Sequence, residues 1–242
     1  MFKASAEFYD LIYSTFKDYA REALQLARLL RNANPGCRTV LDVACGTGEH
    51  ARHLAAQGFV VDGLDLDAAF LRIAREKHPP GRFFASDMSD FLLPHRYDAV
   101  LCLFSSIGYV RTLDRVEAAL KCFREHLAPD GIIAVEPWFG PGALDPGRVA
   151  RHVGEADGLK VTRTSRVAVD GRMSRLYFDY EIADETGTRV TSEIHELGLF
   201  TTEEMLGAFE RAGLAVEFDP KGLFDRGLYL ARRETDSQTG RD

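Results

Sequence analysis

The sequence predicts an α/β fold: a mostly parallel seven-stranded sheet with helices on both faces and an antiparallel β insertion after the fifth strand. Three observations predict it. Through the first half, short β-rich runs alternate with segments whose apolar residues recur at helical spacing, the order of βαβ units. The run Tyr97-Asp98-Ala99-Val100-Leu101-Cys102-Leu103 is almost continuously apolar, as strands covered on both faces are. Beyond Pro137 apolar and polar residues alternate instead, with hairpin turn signals between the runs, before helix and strand patterns resume near residue 201.

Taken in order, residues 19–31 place Ala20, Ala23, Leu24, Ala27 and Leu30 on one helix face, and Asn34-Pro35-Gly36 ends that helix. The first strand, 39–44, leads through glycines into a helix over 50–57. Strand 59–64 and helix 68–77 form the second unit, and 82–85 is the third strand. Strand 97–103 precedes a helix over 113–126, and Pro129-Asp130-Gly131 turns the chain into a fifth strand, 132–136. In the insertion, Asp170-Gly171 sits between extended runs 161–169 and 172–182, and a third run covers 189–200. Helix 201–212 starts at Thr201 or Thr202 with Glu204 in its first turn and stops at Gly213. Strands 214–218 and 227–231 complete the sheet. The predicted division is therefore a core of 1–137 and 201–232, an insertion of 138–200, and a frayed polar tail of 233–242.

The 242 residues exceed one average domain and fall short of two, which fits one core with an insertion. With 45% hydrophobic and 28% charged residues, bulk disorder and fibrous classes are excluded. No apolar run approaches a membrane span, and the first ten residues hold no apolar stretch suited to a signal peptide, so a cytoplasmic location is expected. Cys37, Cys45, Cys102 and Cys122 have neither disulfide nor metal-finger spacing and read as reduced, mostly buried thiols; no metal site is expected. A net charge of −7 gives no overall attraction to nucleic acid. Nothing in the sequence argues against a homodimer.

The sharpest signal is Asp42-Val43-Ala44-Cys45-Gly46-Thr47-Gly48-Glu49-His50, at the junction of first strand and helix. Gly46-x-Gly48-x-x-Ala51 with Asp65 downstream also reads as a dinucleotide fingerprint. Asp42 separates the readings. A carboxylate at the strand end repels a pyrophosphate but suits a ligand carrying an ammonium and a sulfonium, as S-adenosylmethionine does. A structural glycine turn is the third alternative. Asp65, closing the second strand, is placed to accept from ribose hydroxyls, with Leu66 over one adenine face. Asp87-Met88 is placed to meet the adenine edge. His50-x-x-His53 has metal-like spacing without a third ligand and reads as a solvated helix face.

With these pieces the first half resembles class I S-adenosylmethionine-dependent methyltransferases, a Rossmann-like family. From about residue 7 to 230 the chain resembles the N,N-dimethyltransferases of nucleotide-linked 3-aminosugars, of the desosamine and mycaminose type, found in antibiotic biosynthesis. The motifs are Tyr9-Asp10-Leu11, Lys17-Asp18-Tyr19, residues 41–48, Asp87-Met88, Phe104-Ser105-Ser106-Ile107-Gly108-Tyr109, Glu136-Pro137-Trp138, His195 with Leu199-Phe200, and Arg226-Gly227-Leu228. Departures fall at a shorter loop between Tyr9 and Lys17, at Phe139, and at Leu223-Phe224-Asp225.

The resemblance implies a cofactor site of Tyr9, Tyr19, Asp42, Ala44, Gly46, Gly48, Asp65, Leu66, Asp87, Met88 and Phe104. It implies acceptor contacts at Ser106, Trp138 and Arg226, the last on a diphosphate, and Tyr109 and His195 as the groups that meet the reacting amine. The product would be S-adenosylhomocysteine, and the acceptor a small anionic nucleotide-sugar. Independently, residues 148–175 carry seven Lys/Arg against three acids, a local +4 that fits an anionic acceptor or a solvated hairpin. Methylation of another small metabolite or short peptide at N, O or C is the alternative, and a non-catalytic S-adenosylmethionine sensor the rival of a different class.

Overall fold

The computed structural model describes residues 5–223 and 225–234. The βαβ pattern of the first half forms β1 (Thr39–Val43), β2 (Val60–Asp65), β3 (Phe83–Ala85), β4 (Tyr97–Cys102) and β5 (Leu127–Val135). With β10 (Leu214–Asp219) and β11 (Leu228–Arg233) they make one seven-stranded sheet of order β10-β11-β5-β4-β1-β2-β3. Pairing is parallel from β5 to β3, while β11 runs antiparallel to both β5 and β10. The result is the mostly parallel seven-stranded sheet, with helices on both faces, that the sequence predicts.

Alternation along the strands assigns the two cores. Val40, Val61, Ala99, Leu101, Ile132 and Ala134 face the helices α2 (Tyr19–Ala33), α3 (Glu49–Ala56) and α4 (Ala68–Lys77). Leu41, Val43, Val100, Cys102, Ile133 and Val135 face α5 (Leu113–Glu125) and α6 (Thr202–Arg211). Covering on both faces is why these strands carry few polar residues. The buried face of α2 is Tyr19, Glu22, Ala23, Leu26, Ala27 and Leu30, so Ala20 and Leu24 stand on its exposed side. Apolar periodicity alone misplaced that stripe because a buried charge, Glu22, belongs to it. Helix α6 begins in a full capping box, with Thr201 and Glu204 bonding each other's backbone.

The insertion is a separate antiparallel sheet of β6 (Val149–Ala156), β7 (Leu159–Asp170), β8 (Met173–Asp184) and β9 (Gly187–Gly198). Sequence reading missed β6, an edge strand of which only Gly154 is buried and whose side chains show no apolar alternation. An N-terminal helix, α1 (Tyr9–Tyr13), also went unpredicted. Phe8 and Ile12 join Val161, Phe178, Tyr180 and Ile182 in an apolar cluster, so the N-terminal segment packs on the insertion sheet. Gly154 permits it: a Cβ there would come within 2.5 Å of the Leu11 carbonyl oxygen. Arg233, assigned to a frayed tail, is instead the last residue of β11, and its guanidinium donates to the Arg124 and Leu127 carbonyls. The rest of that predicted tail, beyond Glu234, lies outside the described residues, as does Phe224. No helix among the described residues is long and apolar enough to cross a membrane.

Candidate active site

The strand order reverses between β1 and β4, and there, at the carboxyl edge of the sheet, opens a cavity of about 490 Å³ with a smaller annex of about 40 Å³ beside it. Its floor comes from strand ends. Ala44 and Gly46 follow β1, Asp65 and Leu66 end β2, and Asp87 and Met88 follow β3. Phe104, Ser106 and Tyr109 follow β4. Trp138 follows β5 across the cavity, Arg226 arrives on the loop before β11, and Tyr9 closes the site from α1. Tyr19 and Asp42 line the annex. Ala44 (φ 58°) and Phe104 (φ 53°) sit in the left-handed region, which costs a non-glycine residue about 1–3 kcal/mol and clusters at functional edges.

Two expected site residues stand off from the cavity. Gly48 does not line it; with φ 78° it precedes α3, and a Cβ there would meet the Ala74 Cβ at 3.0 Å. Its role is close packing of α3 on α4. His195 is 1% exposed and lies behind Tyr109, whose hydroxyl is 3.2 Å from its Nδ1. On its far side, His195 Nε2 is 3.5 Å from Glu193 Oε2, which also accepts from the Ser5 hydroxyl. Burial holds the Tyr109 phenol well above the usual tyrosine range.

The side of the cavity at the ends of β1 and β2 is built from carboxylates. Asp65 accepts from the Gly46 N–H (2.8 Å) and the Asp67 N–H (2.9 Å), so it shapes the glycine loop as well as facing the cavity; burial raises its pKa. Asp42 is 1% exposed, and its Oδ2 has no hydrogen-bond partner among the described residues. Burial, reinforced by Asp65 and opposed by His50, pushes its carboxyl up to about 6. An orphan acceptor that titrates so high fits a ligand bringing an ammonium and disfavours a pyrophosphate. Asp87 is already engaged: one oxygen accepts from the Ser89 N–H and hydroxyl, the other from Arg115 at 2.6 Å. An adenine amine would share that carboxylate with Arg115.

His50 is no solvated helix residue. It is buried, with Nε2 2.6 Å from Glu22, which Lys17 also approaches to 2.6 Å. Glu22 is held below the usual carboxylate range although burial opposes this, because those two partners outweigh it. Lys17 lies 4.0 Å over the Phe104 ring, and His50 meets the Tyr19 ring edge-on. Asp10 accepts from the Thr47 hydroxyl at 2.6 Å and from Lys77, latching α1 and hence Tyr9 to the glycine loop. His53 approaches Glu49 at 3.6 Å. Among the described residues no group of three His, Cys, Asp or Glu is arranged to hold a metal.

On the loop before β11, Arg226 donates to the Ser105 hydroxyl at 2.9 Å, which itself donates to the Pro137 carbonyl at 2.7 Å. The guanidinium lies 5.7 Å from the Trp138 ring and 5.1 Å from that of Phe139, and it forms no ion pair with a carboxylate among the described residues. Trp138 donates to the Ser174 hydroxyl at 2.9 Å, anchoring this wall to β8. Glu136 accepts the Phe104 N–H at 2.6 Å and so supports that residue's left-handed backbone.

Sequence reading missed part of the wall: Tyr13 and Phe16 from the N-terminal segment, and His152, Phe178 and Leu197 from the insertion; Arg163 it counted only as one of the seven basic residues of 148–175. A signal existed for Arg163. It stands in phase with Val161 on the covered face of β7, a charge where the alternation calls for an apolar residue.

A family model described as a methyltransferase domain matches residues 40–131. The chain is 45% identical over 226 residues to a dTDP-3-amino-3,6-dideoxy-alpha-D-glucopyranose N,N-dimethyltransferase of Streptomyces fradiae, covering 93% of this chain and 89% of that one. It superposes on the crystal structure of Streptomyces venezuelae DesVI with a TM-score of 0.89 at 38% identity, covering 94% and 98% of the two chains. A structure with S-adenosylmethionine bound, the amino pentose methyltransferase CalS10 from Micromonospora echinaspora, aligns with a TM-score of 0.82 at 36% identity over 90% and 93%.

Proposed function

The chain belongs to the S-adenosylmethionine-dependent N,N-dimethyltransferases of nucleotide-linked aminosugars, and we propose that it methylates the amino group of a dTDP-linked amino-deoxysugar in natural-product biosynthesis. The observation that carries the acceptor assignment is a guanidinium in the cavity wall: Arg226 lines the cavity with no carboxylate partner among the described residues, while an unpartnered carboxylate oxygen of Asp42 lies in the adjoining annex. A cationic donor and an anionic acceptor satisfy both.

When bound, S-adenosylmethionine supplies a methyl group already activated on a sulfonium. Asp42 would hold its ammonium, Asp65 its ribose hydroxyls, and Leu66, Asp87 and Met88 its adenine, with Tyr9, Tyr19, Ala44, Gly46 and Phe104 as the surrounding wall. On the acceptor side Arg226 pairs with the diphosphate, and Ser106 and Trp138 border the sugar. The remaining task is to bring a neutral amine to about 3 Å from the methyl carbon with its lone pair in line, which is a matter of positioning. Tyr109 serves it: with its hydroxyl directed at His195, its oxygen lone pair accepts an N–H from the amine and turns the nitrogen lone pair toward the donor. The amine's proton passes to solvent rather than to a side-chain base.

The test is incubation with labelled S-adenosylmethionine and a panel of dTDP-linked 3- and 4-aminosugars, read by mass. Additions of one and then two methyl groups to a panel member are expected. Labelling of none, with labelling of an uncharged amine instead, would refute the acceptor class.

A further inference from the structure

The covered face of β9 carries a buried carboxylate. Glu193 is 8% exposed and stands two residues before His195, so both side chains point to the same side of the strand, where Phe178 and Tyr180 of β8 also pack. Each of its oxygens meets a donor. Oε1 accepts from the Ser5 N–H at 3.2 Å, and Oε2 accepts from the Ser5 hydroxyl at 2.8 Å and from that of Tyr180 at 3.5 Å. N–H and O–H groups on both oxygens are the surroundings that favour an ionised carboxylate. Oε2 also lies 3.5 Å from Nε2 of His195, inside ion-pair distance and longer than an ordinary hydrogen bond. The other ring nitrogen, Nδ1, is 3.2 Å from the Tyr109 hydroxyl, and the Phe178 ring packs 4.9 Å from the imidazole. A chain of contacts therefore runs from Ser5 through Glu193 and His195 to Tyr109 in the cavity wall.

In its neutral form an imidazole has one N–H and one lone pair. With the hydrogen on Nδ1, the Nε2 lone pair would face a carboxylate oxygen, a repulsion that buried surroundings strengthen. With the hydrogen on Nε2 the contact is attractive, and Nδ1 becomes an acceptor. The Tyr109 hydroxyl then donates to Nδ1, since burial first, and Tyr13, Tyr180 and Glu193 after it, keep the phenol protonated. Its hydrogen is turned away from the cavity and a lone pair toward it. The reverse tautomer would aim that hydrogen at the amine nitrogen and tie up the electron pair that attacks the methyl carbon.

We propose that Glu193 is a positioning residue for methyl transfer: it holds His195 in the Nε2–H tautomer and so sets the direction of the Tyr109 hydroxyl. This rests on the assignment of Tyr109 to the reacting amine. An anchor for the N-terminal segment would need only the Ser5 contacts, and Glu193→Gln separates the two roles. The Ser5 backbone N–H can only donate, so the amide oxygen takes the place of Oε1 and the NH2 group that of Oε2. The Ser5 hydroxyl turns round to accept, and Nε2 faces a donor in place of a carboxylate. The anchor survives while the tautomer inverts.

The experiment reads the ring nitrogens of His195 by heteronuclear NMR of the whole protein at pH 7.5, the signal being assigned by its absence from His195→Asn. It also measures kcat, KM and S-adenosylhomocysteine affinity for wild type, Glu193→Gln, Tyr109→Phe and the double variant, with the dTDP-aminosugar that wild type methylates. The hydrogen is expected on Nε2 in wild type and on Nδ1 in Glu193→Gln, with S-adenosylhomocysteine affinity unchanged. The kcat of Glu193→Gln is expected to fall about threefold or more below that of Tyr109→Phe, and the double variant to return to within about twofold of Tyr109→Phe, a rescue that a structural role does not give. A wild-type hydrogen on Nδ1 or on both nitrogens would overturn the assignment, as would an unchanged tautomer or kcat in Glu193→Gln. A defect that Tyr109→Phe adds to instead of relieving would make Glu193 an anchor only. A wild type that methylates no dTDP-aminosugar would overturn the acceptor class, while the tautomer, read without any acceptor, still decides for or against Glu193.

Discussion

The hydroxyl of Tyr109 lies 3.2 Å from Nδ1 of His195, and the imidazole is sealed behind it, away from the cavity. The two residues expected to meet the amine are therefore in series: of the two only Tyr109 lines the cavity, and His195 reaches it through the phenol.

For this pair, Tyr109→Phe is expected to keep at least about a tenth of kcat, as loss of an orienting hydroxyl would, whereas a true general base contributes about 10²–10⁴-fold. His195→Asn is expected to stay within the same limit, and the double variant to be no worse than Tyr109→Phe alone. Because burial holds the Tyr109 pKa well above its usual range, its phenolate is not the proton acceptor near neutrality. Raising pH should speed wild type and variants in parallel as more amine becomes neutral. The check is the pH–rate profile of each; a loss of 10³-fold with one limb missing would show that a side-chain base is required.

Asp42 allows stability and binding to be separated. Its carboxyl is raised from 3.8 to about 6, chiefly by burial, so its contribution to stability is full below about 3.8 and lost as pH rises through about 6. A rise of that size corresponds to a cost on the order of 3 kcal/mol at neutral pH. Asp42→Asn is expected to raise the Tm of the ligand-free protein at pH 7.5 by roughly 3–10 °C. The same variant should lose most of the Tm gain on adding S-adenosylhomocysteine, which carries the ammonium. In wild type the donor's affinity should fall as pH drops below about 6, and in Asp42→Asn it should not. Thermal unfolding at pH 5 and 7.5 with and without the ligand reads all three; a variant stabilised by the ligand as much as wild type would remove Asp42 from the site.

Asp65→Ala should weaken S-adenosylmethionine binding by about 1.5–3 kcal/mol, the range for losing hydrogen bonds to a charged acceptor. Part of that loss comes from the glycine loop, since Asp65 also accepts the Gly46 N–H. Calorimetry checks it, and unchanged donor affinity, or tight NAD binding by wild type, would refute the assignment.

Arg226→Ala is expected to raise the acceptor KM at least tenfold with donor affinity nearly unchanged, because only the acceptor loses a bidentate partner. Arg226→Lys should not rescue fully. Steady-state kinetics on the dTDP-conjugate and the free aminosugar make the comparison; equal turnover of the two in wild type would exclude a diphosphate contact.

What the amino-acid order determined by itself is local or periodic. The strand–glycine–helix unit at 39–56, the alternation of β1 to β5 with their helices, the capping box at Thr201 and the carboxylates at strand ends are all set by neighbours within a few residues, so spacing revealed them. The tertiary structure decided what depends on distant partners. It buried Glu22 and His50 against each other and put Gly48 to helix packing. It set His195 behind Tyr109 and turned Arg163 from a hairpin charge into part of the cavity wall. The physical reason is that a charged side chain carries no sign of its own burial: the partners that make burial tolerable, 28 residues away for Glu22 and 86 for the Tyr109–His195 pair, meet only when the sheets and the N-terminal helix close around the cavity.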